Sequence, residues 1–286
     1  MFERALVFIN PESPNEALLP AVERLVPGTA VVFELRTIPA RAGWSEPRRP
    51  PMGRGPSAVP SPGLGSSRRI LKRTTDPARS ILEIVDELGI DLVALGDATG
   101  GRKPFRSSEV AEKVIASGQV PVLLVGTDYV PPAPDLRRVL LPFDPFVPPR
   151  SLLQMAGQLS RRSHAEIVVL GLISVSVEPQ DTGIIFEDGP LRHTSAEERI
   201  SDFARDLVDL GCRVRTVHAY EEPLDVIPRY ARSLDVDMVL LGKVGYGPQS
   251  QRRISGLSRQ LAVSVECPLL FGALGGRNRW RTAWAG

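Results

Sequence analysis

At 286 residues the chain is long enough for about two domains, each burying its own core. Apolar residues at 42% and charged residues at 24% are ordinary globular values, which excludes a chain that is disordered throughout or fibrous. The net charge of +2, from 35 basic and 33 acidic residues, is too balanced for a protein whose main work is holding phosphate backbones, so nucleic acid is not an expected partner.

The first apolar run, Ala5 to Ile9, reads as a buried strand, and Ala30 to Leu35 as a second. Between Pro39 and Ser67 seven prolines and five glycines interrupt any apolar period, which predicts a mobile loop where a crossover helix would otherwise lie. Asp76-Pro77 then opens an amphipathic helix: Ile81, Ile84, Val85 and Leu88 follow a helical period, Asp76 stands at the N-cap, Pro77 at the first helical position, and Gly89 closes it. The helix feeds into Leu92-Val93-Ala94-Leu95, a continuous apolar run of the kind covered on both faces. A further strand is predicted over Val120 to Val125, and Pro131-Pro132-Ala133-Pro134 is too proline-rich for a helix or central strand and reads as a joint.

Beyond the joint the order repeats, with strands at Val139 to Phe143, Glu166 to Ile173, Val214 to His218, Met238 to Leu241 and Leu269 to Phe271. Ser195-Ala196-Glu197-Glu198 has the form of a capping box that opens a helix with Ile200, Phe203 and Leu207 on one face. The segment ending Asp91-Leu92-Val93-Ala94-Leu95-Gly96 returns as Asp237-Met238-Val239-Leu240-Leu241-Gly242, an offset of 146 residues. In this second copy a helix beginning at Asp225 would place Pro228 in the first turn, where no intrahelical N–H is required. Strands alternating with helices predict right-handed βαβ crossovers and parallel sheets. The fold expected is α/β, with two tandem five-stranded, Rossmann-like parallel-sheet domains packed as a pseudo-dimer. Their expected bounds are 1–130, with the 39–67 loop, and 136–274, followed by a flexible tail at 275–286.

In such sheets ligands bind beyond the carboxyl ends of the strands, where strand order reverses. Asp144, closing the strand that ends at Phe143, offers a carboxylate to a base amino group or a ribose hydroxyl. After the fourth strand of the same half come Gly242, Lys243, Gly245 and Gly247, then Ser250, Arg252, Arg253, Ser255 and Gly256. Glycine lets a backbone approach a phosphate, and a helix starting near Ser255 would present unpaired N–H groups, which is anion-binding chemistry. Other residues carry blander readings. His164, His193 and His218 have no metal-ligand spacing, and Cys212 and Cys267 lie far apart within apolar stretches as small core residues. Ser195 has no nucleophile elbow around it, and Arg277, Arg279, Trp280, Arg281 and Trp284 read as a frayed end.

These motifs together resemble the universal stress protein family, over nearly the whole chain. The resemblance rests on the Asp-led strands, on Gly242 and Gly245 followed by Ser255-Gly256 where the family has glycine then serine, on Cys267-Pro268 before the last strand, and on Val110-Ala111-Glu112-Lys113-Val114 and Val120-Pro121-Val122-Leu123-Leu124-Val125. It implies a stress-response regulator rather than an enzyme. It also implies an adenine nucleotide, ATP with or without Mg2+, held in the second half by Pro142, Asp144, Gly242, Lys243, Gly245, Gly247, Ser255 and Gly256. The first half departs from the pattern at Asn10, Thr99 and Ser108-Glu109, and Glu109 would bring a carboxylate near the phosphates, so no nucleotide is expected there. The alternative reading is a ligand-free scaffold that acts through a protein partner. Cytoplasmic location, no membrane partner, an internal pseudo-dimer and a possible further homodimer complete the expectation, since no apolar run is long enough to span a bilayer and the opening residues lack a signal peptide's form.

Overall fold

A computed structural model describes residues 2–9, 17–26, 31–39, 57–58, 66–96, 109–126, 129–133, 135–145, 150–173, 189–242, 260–262 and 264–273. The elements in chain order are β1 (Arg4–Ile9), α1 (Leu18–Glu23), β2 (Val31–Pro39), β3 (Ser57–Ala58), β4 (Ser66–Thr74), α2 (Pro77–Leu88), β5 (Leu92–Gly96), α3 (Glu109–Ser117) and β6 (Val122–Val125). The second half continues with β7 (Arg138–Phe143), α4 (Arg150–Ser163), β8 (Glu166–Leu172), α5 (Gly189–Asp209), β9 (Arg213–Ala219), α6 (Pro223–Ser233), β10 (Met238–Leu241) and β11 (Leu269–Phe271).

The eleven strands of the described residues form one sheet in the order β3-β4-β2-β1-β5-β6-β11-β10-β7-β8-β9. Within each half the long strands run parallel, and the halves meet where β6 and β11 pair antiparallel, Leu124 opposite Leu269 and Val122 opposite Phe271. The two expected parallel-sheet halves, packed as a pseudo-dimer, are joined at this seam into one continuous sheet, with β3 added antiparallel to β4 at the outer edge. Of the expected loop over 39–67 only the two ends and a short middle piece are described. Its two ends belong to β2 and β4, which pair in parallel from Val31–Ser66 to Pro39–Thr74, and Ser57–Ala58 forms β3. The remainder of that stretch lies outside the described residues.

The central strands are apolar on both faces because helices cover both. Alternate strand residues feed two clusters: Ala5, Val7, Val139 and Leu141 meet α1, α4 and α5 on one face, while Leu6 and Leu140 meet α2, α3 and α6 on the other. Each fully buried Leu, Ile or Val contributes roughly 1.5–3 kcal/mol relative to exposure, so these clusters are the main source of stability.

Local chemistry sets the helix ends. Asp76 caps α2 by accepting the Arg79 backbone N–H at 3.2 Å, Pro77 occupies the first turn, and Gly89 closes the helix at φ 62°, a left-handed conformation that glycine adopts at little cost. The two predicted helix starts in the second half differ from the structure. α6 starts at Pro223, two residues before Asp225, because Pro223 fits the first helical position and the Glu222 carbonyl accepts from Asp225 and Val226. Pro228 therefore sits inside the helix, where it cannot donate to the Leu224 carbonyl. Ser195 is not a cap either, since α5 begins six residues upstream at Gly189.

The internal repeat is visible in the hydrogen bonds. Asp91 accepts the backbone N–H groups of Glu3 and Arg4 at 2.8 and 3.0 Å, tying the start of β5 to the start of β1. Asp237 accepts those of Arg137 and Arg138, both at 2.8 Å, tying β10 to β7 in the same way. The Arg4 guanidinium donates to the Leu88 carbonyl as that of Arg138 does to Leu234.

The repeats part company at Asp237. Arg24, just after α1, crosses to the second half and donates to Asp237 Oδ1 at 2.6 Å, to the Asp135 carbonyl at 2.8 Å and to the Tyr129 hydroxyl at 2.6 Å. Both side chains of the ion pair are buried, 4% and 0% exposed, so this pair is sealed between the halves. Burial, foremost, pushes the Tyr129 hydroxyl above its ordinary pKa.

Candidate functional site

Both halves have the same strand order. In the second, the chain leaves β7 for β8 and β9 on one side and returns to β10 on the other, so strand order reverses between β7 and β10. These two strands are parallel neighbours, Met238 opposite Val139 and Val239 opposite Leu140. Their carboxyl ends therefore reach the same edge side by side, which is where an open α/β sheet leaves a crevice.

Of the residues expected to hold a nucleotide, three are described, and the fold brings them to this edge. Pro142, half-buried, pairs with Leu170 of β8; Asp144 follows the last residue of β7; and Gly242 follows the last residue of β10. Asp144 and Gly242 are both partly buried. Lys243, Gly245, Gly247, Ser255 and Gly256 lie outside the described residues, as do Ser250, Arg252 and Arg253. A carboxylate at this position can accept from sugar hydroxyls or an exocyclic amine. A glycine at the strand end leaves the backbone open to close approach by a ligand.

α5 packs against the ends of β7 and β8 through Ile200 and Phe203 of its apolar face and through Arg199, which the sequence pattern did not single out. Gly171 of β8 lacks the Cβ that would stand 2.4 Å from Ile200 Cδ1, so Ile200 seats directly on the sheet. Phe203 stacks on Phe143 with ring centroids 4.2 Å apart, beside the start of the Asp144 turn. One turn earlier on the helix, the Arg199 guanidinium donates to the carbonyl of buried Pro145 at 3.3 Å. The signal available in the sequence was the spacing Arg199-x3-Phe203, which puts both residues on one helix face.

The equivalent edge of the first half has different chemistry. Gly96 ends β5 beside β1, as Gly242 ends β10 beside β7. Glu109 opens α3 in the first turn, where a negative charge is favoured, and its exposed carboxylate accepts from Lys113 Nζ at 2.8 Å. That hydrogen bond, first, raises the Lys113 pKa. Asn10, Thr99, Gly100, Gly101, Arg102, Lys103 and Ser108 lie outside the described residues.

No cluster of three or more His, Cys, Asp or Glu side chains suited to a metal occurs among the described residues. His164 is exposed at φ 56°, and His218 Nδ1 lies 4.0 Å from Glu197 Oε1, which also accepts the Tyr220 hydroxyl at 2.8 Å. The side chain of His193 and the basic aromatic tail lie outside the described residues. Cys212 is buried in the core as expected, whereas Cys267 is only partly buried, and both thiols are free. Burial raises the pKa of each, that of Cys267 to about 12. No described helix is long and apolar enough to cross a membrane.

A tandem α/β architecture is also what the comparisons with known proteins find. The model of the universal stress protein family matches residues 60–126 and again 135–271, one match in each half, and the chain belongs to that family. No curated protein matches the sequence. Among solved structures, a protein of Pseudomonas aeruginosa UCBPP-PA14 described as a universal stress protein is 17% identical with a TM-score of 0.63, covering 95% of this chain and 93% of its own. A universal stress protein of Archaeoglobus fulgidus DSM 4304 is 14% identical with a TM-score of 0.61, covering 96% and 97%. At these identities the likeness concerns the fold.

Proposed function

We propose that this universal stress protein binds an adenine nucleotide, ATP with or without Mg2+, in the crevice of its second half, and works as a stress-response regulator rather than as an enzyme. The observation that carries the reading is the parallel pairing of β10 with β7, which sets Asp144 and Gly242 on one edge at a switch point. In this reading Asp144 and Pro142 face the adenosine. Gly242, Lys243, Gly245, Gly247, Ser255 and Gly256 form the phosphate loop, with backbone N–H groups and the Lys243 charge opposite the anion. The first half, whose acidic Glu109 replaces a neutral residue at the equivalent loop, completes the fold as the internal partner. The domains run 1–130 and 136–274, the protein is cytoplasmic, and copies can pair again as homodimers.

Titration calorimetry of the full chain with ATP, repeated on Gly245→Val, tests the reading. The expected outcome is micromolar binding by the parent and none by the variant, because a β-branched side chain denies the backbone its close approach to phosphate. Heat indistinguishable from buffer dilution with the parent protein would favour the ligand-free scaffold instead.

A further inference from the structure

Asp144 stands one residue beyond the last rung between β7 and β8, Phe143 opposite Gly171. Past that rung the sheet no longer fixes the backbone, so whatever holds the turn sets where the carboxylate stands. α5 is fixed against the end of β7 by Ile200 on Gly171 and Phe203 on Phe143, and its Arg199 donates to the Pro145 carbonyl at 3.3 Å. Pro145 is buried and Arg199 is exposed, so the part-buried hydrogen bond between them satisfies the carbonyl from the solvent side and ties the residue next to Asp144 to α5.

From this geometry we infer that Arg199 is a positioning residue of the candidate pocket, acting on ligand through the Asp144 turn rather than by touching the ligand itself. The inference rests on the proposed nucleotide reading and adds to it a residue from a different element. It separates two roles a cation at this edge can have. A cation that pairs with phosphate strengthens ATP binding but not adenosine binding, and its contribution falls with salt. A cation that holds the Asp144 turn strengthens both ligands alike, and its contribution disappears once Asp144 is gone.

The experiment is a double-mutant cycle on the full chain, read by calorimetry with ATP and with adenosine, using Arg199→Ala, Asp144→Ala and the double variant, with Arg199→Lys as the conservative replacement and thermal melts as the folding control. Expected is a weakening of about tenfold for both ligands in Arg199→Ala, the order for one charged hydrogen bond. Arg199→Lys should recover most of it, and Arg199→Ala should have no further effect in the Asp144→Ala background. Losses that add across the cycle, a loss confined to ATP, or an unchanged affinity in a folded Arg199→Ala protein would overturn the inference while leaving the nucleotide reading standing. If Arg199→Ala does not fold, Arg199→Gln takes its place in the cycle. Absence of binding by the parent chain would overturn the nucleotide reading, and the inference with it.

Discussion

Arg24→Met removes the cation that faces Asp237 across the two halves, and its cost can be worked from the geometry. Withdrawing one partner from a buried ion pair costs about 3–5 kcal/mol, because the other charge stays buried and unpaired. Asp237 is 0% exposed, yet it keeps the backbone N–H groups of Arg137 and Arg138 and has the Arg137 guanidinium 3.9 Å away, which puts the cost near the lower end, about 3 kcal/mol. Since the sheet is continuous, the chain is expected to melt as one unit. At about 2.1 cal/mol/K per residue its 286 residues give an unfolding entropy of roughly 0.6 kcal/mol/K, so the midpoint should fall by about 5 °C. Differential scanning calorimetry of Arg24→Met, Asp237→Asn and the double variant reads this directly. The double variant should lose clearly less than the sum of the singles, because the charge left behind in each single is absent from it. A midpoint within 1 °C of the parent for Arg24→Met, or strict additivity, would refute the sealed pair as a tie between the halves.

Gly171→Ala should cost about 1–3 kcal/mol, since its Cβ would lie 2.4 Å from Ile200 Cδ1 and 3.0 Å from Cγ1; Ile200→Val, which removes Cδ1, should restore part of the loss in a thermal melt of the pair. Cys267, with its thiol pushed up to about 12, should react with iodoacetamide at pH 8 about 1,000-fold more slowly than a free cysteine, and Cys212 should also be protected. Mass spectrometry should find Cys212 labelled only after unfolding and the partly buried Cys267 labelled slowly in the native protein, and rapid labelling of Cys267 there would contradict its raised pKa.

What the sequence disclosed was local or periodic. α2 was readable because Asp76, Pro77 and Gly89 act within a few residues of where they stand, and the buried strands because Leu92 to Leu95 and Met238 to Leu241 need cover on both faces. β4 was missed because Arg68, Arg69, Lys72 and Arg73 interrupt its apolar pattern, and it is tolerated near the margin of the sheet, flanked on its outer side, among the described residues, by the two residues of β3. The start of α5 was misplaced because a capping-box sequence also occurs inside helices, where upstream residues simply continue the turn. For the candidate site, the strand ends at Asp144 and Gly242 could be placed from repeat and strand order alone. Arg199 could not, because its role depends on α5 being pressed on the end of β7 through Gly171 and Phe143. The pairing of Arg24 with Asp237 spans 213 residues of chain and has no local signature, its repeat mate Asp91 accepting, among the described residues, from backbone N–H groups.

The reversal of direction at β6 and β11 also fixes where each half can meet the rest of the cell. Because the strands of the two repeats point opposite ways, the crevice of one opens on the margin of the sheet facing away from the crevice of the other. A change at one mouth therefore need not crowd its twin, and the Arg24–Asp237 tie and the shared core are the physical links that remain between them.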